Sequence, residues 1–145
     1  MLLKVLSVAG FLMMVSGIAA LIVTRTIVSS FPPAIVAQVA AFALMVWARR
    51  AFGTRSFHLS ADPTDGGLVT TGPYRFVRHP IYTAVCIFVW AALAGSPSIR
   101  TFLSVVLVTI GAVMRVFCEE HSLVQRYPEC KSYSLKTKRM IPFVF

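Results

Sequence analysis

Apolar residues run along this chain in blocks, and charges mark where the blocks stop. No charged side chain stands in the twenty positions between Lys4 and Arg25. A second uncharged stretch runs from Arg25 to Arg49 and is broken by Pro32-Pro33. A third runs from Arg78-His79 to Arg100, and a fourth from Arg100 to Arg115. A helix needs about 20 apolar residues to cross hydrocarbon, with a range of roughly 17–25. The first stretch meets that length and the others sit near its lower limit. The pattern predicts four helices over about 3–23, 33–50, 80–95 and 100–126, in one membrane domain spanning residues 1–145.

Turn chemistry pairs these helices. Gly95-Ser96-Pro97-Ser98 is a strong break and joins helices 3 and 4 as a hairpin. Helices 1 and 2 are predicted as a second, tight hairpin, because Ala37 and Ala41 have the small-xxx-small spacing that lets helices approach closely. Gln38 between them is assigned one interhelical hydrogen bond. A loop follows over 51–79, with turn residues at Asp62-Pro63, Asp65-Gly66-Gly67 and Gly72-Pro73. Pro80 suits the first turn of helix 3, where its missing N–H costs nothing. Pro128 ends helix 4 and leaves 127–145 as a basic tail.

Composition strengthens the membrane reading. Of the 145 residues 57% are hydrophobic and 13% charged, about half the charge of a soluble domain. Ser16-Gly17-Ile18-Ala19-Ala20 has the small residues of a leader cleavage site. A single Lys4 ahead of it, and apolar residues continuing to Val23, favour a retained span instead. With four spans, twelve of the fourteen basic residues fall on one side, leaving Arg25 and Arg100 opposite. The excess of positive charge places that side, with both termini and the loop, in the cytoplasm, at an inner membrane if the source is bacterial. All five acids, Asp62, Asp65, Glu119, Glu120 and Glu129, lie there too. The net charge of +9 is accounted for by insertion topology and attraction to anionic lipid. No nucleic-acid motif accompanies it. Three cysteines, Cys86, Cys118 and Cys130, with no CxxC, argue against a disulfide framework.

Two clusters have the residue types for chemistry. Arg78-His79-Pro80-Ile81-Tyr82 places polar groups at the start of a membrane helix, whose free N–H groups and positive dipole end suit an anion. The bland alternative is an interfacial anchor of Arg and Tyr. Arg115 and Glu119 are i,i+4 and can pair. Glu120 points about 100° away and needs another partner. Adjacent carboxylates at a membrane helix end are costly unless cations or water meet them; the bland alternative is a wet helix end. Cys118 and His121 are i,i+3, with His79 or Cys130 within reach as further ligands. The paired-ligand spacing of structural zinc sites is missing, so no metal is assigned. His58 stands alone in the loop.

Taken together, the stretch from Gly67 to Tyr82, containing Gly72-Pro73-Tyr74-Arg75 and Arg78-His79-Pro80-Ile81-Tyr82, resembles the signature of the isoprenylcysteine carboxyl methyltransferase and phospholipid methyltransferase superfamily. So does Glu119-Glu120-x-x-Leu123 followed by Tyr127-Pro128-Glu129, Tyr133, Thr137, Arg139 and Ile141-Pro142. The likeness covers about the C-terminal 80 residues. Ala84 stands where the family usually has Gly, and Cys130 where many members have Tyr.

The resemblance implies an all-α membrane enzyme that takes S-adenosylmethionine as methyl donor and a lipid-like or prenylated acceptor from the bilayer. It implies a cofactor pocket open to the cytosol, made by the start of helix 3, the end of helix 4 and the tail. On motif position, Tyr74, Arg78, His79, Pro80, Tyr82, Glu119 and Glu120 would contact the cofactor. Glu120 would accept a proton where the acceptor is an amine, and Arg139 would meet the acceptor's anion. The rival from another class is a small membrane scaffold or subunit with no catalysis. A scaffold would leave Glu119, Glu120, His79 and Tyr82 scattered, whereas an enzyme needs them together.

Overall fold

A computed structural model describes residues 2–53 and 68–141. The turn residues Asp62-Pro63 and Asp65-Gly66-Gly67, His58 and Pro142 lie outside the described residues. Five α-helices follow in order: α1 (Leu2–Val23), α2 (Pro32–Phe52), α3 (Pro80–Gly95), α4 (Ile99–Arg126) and α5 (Cys130–Lys136). A short 3-10 turn, Gly72–Arg75, precedes α3. The described residues contain no strand beyond a single parallel bridge, Val77 to Lys138. By length and composition α1, α2 and α4 could each cross a membrane, while α3 is a shorter apolar helix.

The helix ends follow local chemistry. Pro32-Pro33 opens α2, with Phe31 as an extended N-cap. Proline suits this place because the first-turn N–H groups have no intrahelical acceptor. Ser98 caps α4, accepting from the Thr101 backbone N–H at 3.1 Å. α4 runs past Glu119-Glu120 to Arg126, and the chain turns at Tyr127-Pro128.

The helices lie in the packing order α1, α4, α3, α2. The predicted tight hairpin of helices 1 and 2 is therefore not formed: α1 packs on α4, and α2 packs on α3. The reason lies on α1. Its buried residues Ser7, Gly10, Met14, Gly17 and Leu21 recur at alternating steps of three and four, so they form one seam along the helix. Gly10 meets Gly111 of α4 so closely that a Cβ on Gly10 would lie 2.8 Å from the Gly111 carbonyl oxygen. The converse distance, from a Cβ on Gly111 to the Gly10 oxygen, is 2.5 Å. In lipid, apolar surface gains nothing by leaving solvent, and close backbone packing is what holds helices together. The Gly10–Gly111 crossing outcompetes the Ala37/Ala41 seam for α1.

Met14, Leu21, Val89, Val105, Val108 and Ala112 make the central cluster of α1, α3 and α4. Val36, Val39 and Phe42 on α2 and Leu12 and Leu103 elsewhere point outward, as a lipid-facing surface requires. Gln38 does more than the one bond assigned to it. Its Nε2 donates to the Ile27 carbonyl at 2.8 Å and the Phe88 carbonyl at 3.4 Å, and its Oε1 accepts from the Ser29 N–H at 3.1 Å. One buried amide thus fastens the α1–α2 connection to both α2 and α3. An apolar cavity of about 120 Å³ lies nearby, lined among others by Ile18 of α1, Ala41 and Met45 of α2, and Ala84 and Phe88 of α3.

The tail also differs from expectation. Instead of a featureless basic segment it forms α5 and then runs beside residues 77–79. The Arg78 N–H donates to the Lys138 carbonyl at 2.8 Å and the His79 N–H to the Arg139 carbonyl at 2.9 Å. Thr83 Oγ1 donates to the Met140 carbonyl at 2.8 Å. These bonds carry the tail to the mouth of α3.

The glycine crossing makes a test. Gly111→Leu should lower the unfolding free energy in detergent by about 1–3 kcal/mol, the usual penalty for overpacking. Val15→Ala, at an outward position of α1, should stay within about 0.5 kcal/mol. Thermal unfolding of the purified protein reads both.

Candidate active site

The start of α3, the end of α4 and the tail meet around two carboxylates. α4 gains about 1.5 Å per residue, so Glu119 stands roughly 30 Å from the helix start at Ile99. That length equals the thickness of bilayer hydrocarbon. If α4 crosses from Ile99, the acids would sit where it emerges; they lie level with the first turn of the neighbouring α3.

Glu119 is held from two helices. Its Oε1 accepts from Tyr82 Oη at 2.5 Å and from Arg115 Nη2 at 3.1 Å. Arg115 Nε also donates to Tyr82 Oη at 2.7 Å, so Tyr82 passes the guanidinium's polarisation to the carboxylate. Arg115 is buried and its Nη1 reaches the Ser7 carbonyl of α1 at 3.5 Å. Its guanidinium carbon lies 5.5 Å from the centre of the Phe11 ring, in range for a cation–π contact. Arg115 was visible in the sequence as the i,i+4 partner of Glu119. Its role as the tie between α1, α3 and Glu119 was not. The signal for that role was a cation on the apolar side of the acid pair, which must find partners inside the bundle.

Glu120 finds its partners outside α4. Its Oε1 accepts from Arg78 Nε at 2.7 Å, and its Oε2 from Arg139 Nε at 2.6 Å. Arg78 is itself fixed by the tail, because Nη1 donates to the Ser134 carbonyl at 3.2 Å and to the Thr137 carbonyl. Arg139 lies over the Phe117 ring at 5.1 Å. Neither Phe117 nor the carbonyls of Ser134 and Thr137 stand out in the sequence. Backbone acceptors leave no trace in residue type.

His79 stands between the two acids. Nδ1 is 3.6 Å from Glu119 Oε2, and Nε2 is 3.6 Å from Glu120 Oε1. Both are beyond a hydrogen bond. Nε2 is buried and has no hydrogen-bond partner in the described structure. Burial disfavours a charged imidazole, but Glu119 and Glu120 on either side outweigh it and raise the pKa above 6.5. Such an orphaned polar atom costs free energy unless something meets it, and here it faces the acids.

Of the other residues expected at the site, Pro80 is buried as the first residue of α3 and sets its start. Tyr74 is buried on the 3-10 turn with its ring 5.6 Å from that of Phe52. It joins the cluster at one remove, since its carbonyl accepts from Tyr133 Oη. Burial pushes the Tyr133 hydroxyl up to about 12, so it remains a donor across the physiological range. Glu119, Glu120, His79, Tyr82, Arg78 and Arg139 are thus gathered, and Tyr74 flanks them. Ala84 is buried against the apolar cavity, and Cys130 is buried at the start of α5. Among the described residues, no three His, Cys, Asp or Glu side chains stand together as a set of metal ligands.

The gathered groups are two carboxylates, three guanidiniums and an imidazole at a membrane edge. Carboxylates suit ammonium and sulfonium groups and ribose hydroxyls, while guanidiniums suit carboxylates and phosphates. A ligand carrying both kinds of group fits this donor set, and His79 Nε2 gives it an unmet polar contact. Comparison with known proteins bears on the chain's family. The family model for phospholipid methyltransferase matches residues 31–130. A curated relative, the nickel-cobalt-cadmium resistance protein NccN of Alcaligenes xylosoxydans xylosoxydans, is 36% identical over 78 residues. That match covers 52% of this chain and 36% of the relative. No solved structure matches the chain.

His79 predicts a pH dependence. A raised folded pKa means that its ion pairs with Glu119 and Glu120 contribute fully below about 6.5, the unfolded value, and fade as pH rises through the folded one. The difference in melting temperature between the parent and His79→Gln should therefore be largest near pH 6 and shrink towards pH 9. A difference that grows with pH would contradict a charged His79.

Proposed function

The chain belongs to the phospholipid methyltransferase family, and from that premise we propose that it transfers a methyl group from S-adenosylmethionine to a lipid-borne acceptor at the cytosolic face of the membrane. The observation that carries this reading is the convergence of Glu119, Glu120, His79 and Tyr82 from two helices onto one point, with Arg78 and Arg139 beside them. Membrane insertion alone does not require that arrangement. In this reading α3 also crosses the bilayer. Its sixteen residues span about 24 Å, and the polar cluster and the Ser96–Ser98 turn lie at its two ends. Both termini then lie with the basic residues in the cytoplasm.

The bound donor supplies an electrophilic methyl on a sulfonium. The chain's part is to hold and orient. Glu119 and Glu120 hold the donor's ammonium and ribose groups, and His79 Nε2 gains the partner it lacks. Tyr82 and Arg115 keep Glu119 in place. Arg139, half-exposed at the edge of the cluster, faces the acceptor's anionic group. In-line displacement depends mainly on positioning, for which orientation can supply several kcal/mol.

Acceptor chemistry divides on the proton. A carboxylate, as in a prenylcysteine, needs no base. An amine head group must lose one. Glu120, the acid assigned to that task, has both oxygens engaged by guanidiniums, an arrangement suited to holding a charge. This favours an acceptor attacking as an anion, whereas the family description points to a phospholipid.

Two measurements test the reading. Detergent-purified protein should bind S-adenosylmethionine by calorimetry, and the Glu120→Ala, His79→Ala double variant should bind at least tenfold more weakly, in line with losing a charged contact. Transfer of a labelled methyl group should then be compared between a farnesylcysteine analogue and vesicles with amine head groups. Binding by neither protein, or equal binding by both, would remove the donor reading and favour a non-catalytic scaffold.

A further inference from the structure

The carboxylates that would serve a cationic ligand are already neutralised by the chain's own cations. This creates a competition at Glu120. Its two oxygens are held in different ways. Arg78 on Oε1 is 11% exposed, emerges beside α3 and is anchored by the carbonyls of Ser134 and Thr137. Arg139 on Oε2 is 36% exposed and belongs to the tail beyond α5. Its backbone is fixed, since its carbonyl accepts from the His79 N–H at 2.9 Å. Its guanidinium lies on the half-exposed Phe117 ring. The side chain can therefore leave Oε2 while its backbone stays on the strand of contacts along 77–79.

We propose that the Arg139–Glu120 ion pair is an exchangeable latch, displaced when the cationic group of the methyl donor takes Glu120 Oε2, with Arg78 holding Oε1 throughout. The exchange replaces one cation by another, so the acid is never left unpaired in a low-dielectric place, which would be costly. It also releases the Arg139 guanidinium from Glu120 only when a donor is present. The anion-binding side of the site then gains a guanidinium released from Glu120 by donor binding, and by linkage an anion that holds it there strengthens donor binding by the same factor. The proposal rests on the donor reading above and adds an order of events to it.

The test is the affinity for S-adenosylmethionine, read by calorimetry on full-length protein in detergent. Arg139→Ala removes the competitor, so it should bind about fivefold tighter than the parent, the size of one part-exposed ion pair. Arg139→Lys, which keeps the charge with a poorer fit, should fall between. Lys138→Ala, which removes an exposed neighbouring charge, should stay within about twofold, separating direct competition from the general field. Sodium phosphate in place of chloride at equal ionic strength should tighten donor binding to the parent but not to Arg139→Ala. Weaker or unchanged binding by Arg139→Ala, at an unaltered melting temperature, overturns the latch and leaves the donor reading standing. So does equal tightening by Lys138→Ala. If Arg139→Ala has lost its melting transition, the comparison of parent with Arg139→Lys decides by the same criterion. A phosphate effect absent from the parent overturns the link to an anion. Binding by no variant overturns both readings together.

Discussion

Two adjacent carboxylates at the end of a membrane helix must be neutralised, and the architecture of this chain follows from how that is done. α4 cannot do it alone. Arg115, one turn back, reaches Glu119, but Glu120 projects from another side of the helix. Its cations come from residues 78 and 139, 42 and 19 positions away. Each acid therefore recruits a different set of elements. Glu119 draws in Tyr82 of α3 and, through Arg115, the Ser7 carbonyl of α1. Glu120 draws in the residue before His79 and the tail. Segments that have little else in common are tied at one level of the bundle.

That tie depends on a second constraint deeper in the membrane. Arg115 can reach the backbone of α1 only because α1 and α4 cross at Gly10 and Gly111 with almost no space between their backbones. Side chains at that crossing would push the helices apart, and a guanidinium with unmet donors would be left in an apolar bundle. The polar cluster and the glycine crossing are thus two ends of one contact. The same crossing leaves α2 to pack on α3, and the cavity beside Ala41 and Ala84 lies between these two helices and α1.

Much of this was legible in the residues. Charge spacing located the apolar spans, because charged side chains are excluded from hydrocarbon whatever the fold, and Pro80, the Gly95–Ser98 turn and Pro128 brought the ends of α3 and α4 to within a residue or so. The two clusters were legible for the related reason that polar groups there need partners. Pairing of helices was harder. Ala37 and Ala41 and the seam of Ser7, Gly10 and Gly17 are both small-residue patterns, and only the partner surface, with Gly111 opposite Gly10, decides between them. The full set of Gln38 bonds leaves no trace in residue type because its partners are backbone groups. The structure of the tail is not legible in the sequence because α5 is seven residues long, too short to stand without tertiary contacts. Its pairing beside residues 77–79 uses backbone groups that every sequence has.

The cluster is expensive for what it contributes to folding. A network of three guanidiniums, two carboxylates and an imidazole at a membrane edge requires desolvation of each member, and such networks are often no more stabilising than apolar residues of similar volume. A bundle with the Gly10–Gly111 crossing and the Met14–Val108 core already has what helices in lipid need to associate. Stability alone therefore does not account for bringing these charges to one point from three parts of the chain, nor for leaving His79 Nε2 buried and unmet between them. The proposed site, which would accept a ligand bearing both signs of charge, would account for both. The charges of such a site would have to be present before the ligand arrives, compensated well enough to keep the fold, and paired loosely enough at one position to be exchanged. Arg78 and Arg139 on the two oxygens of Glu120, one 11% and one 36% exposed, would suit that division of labour.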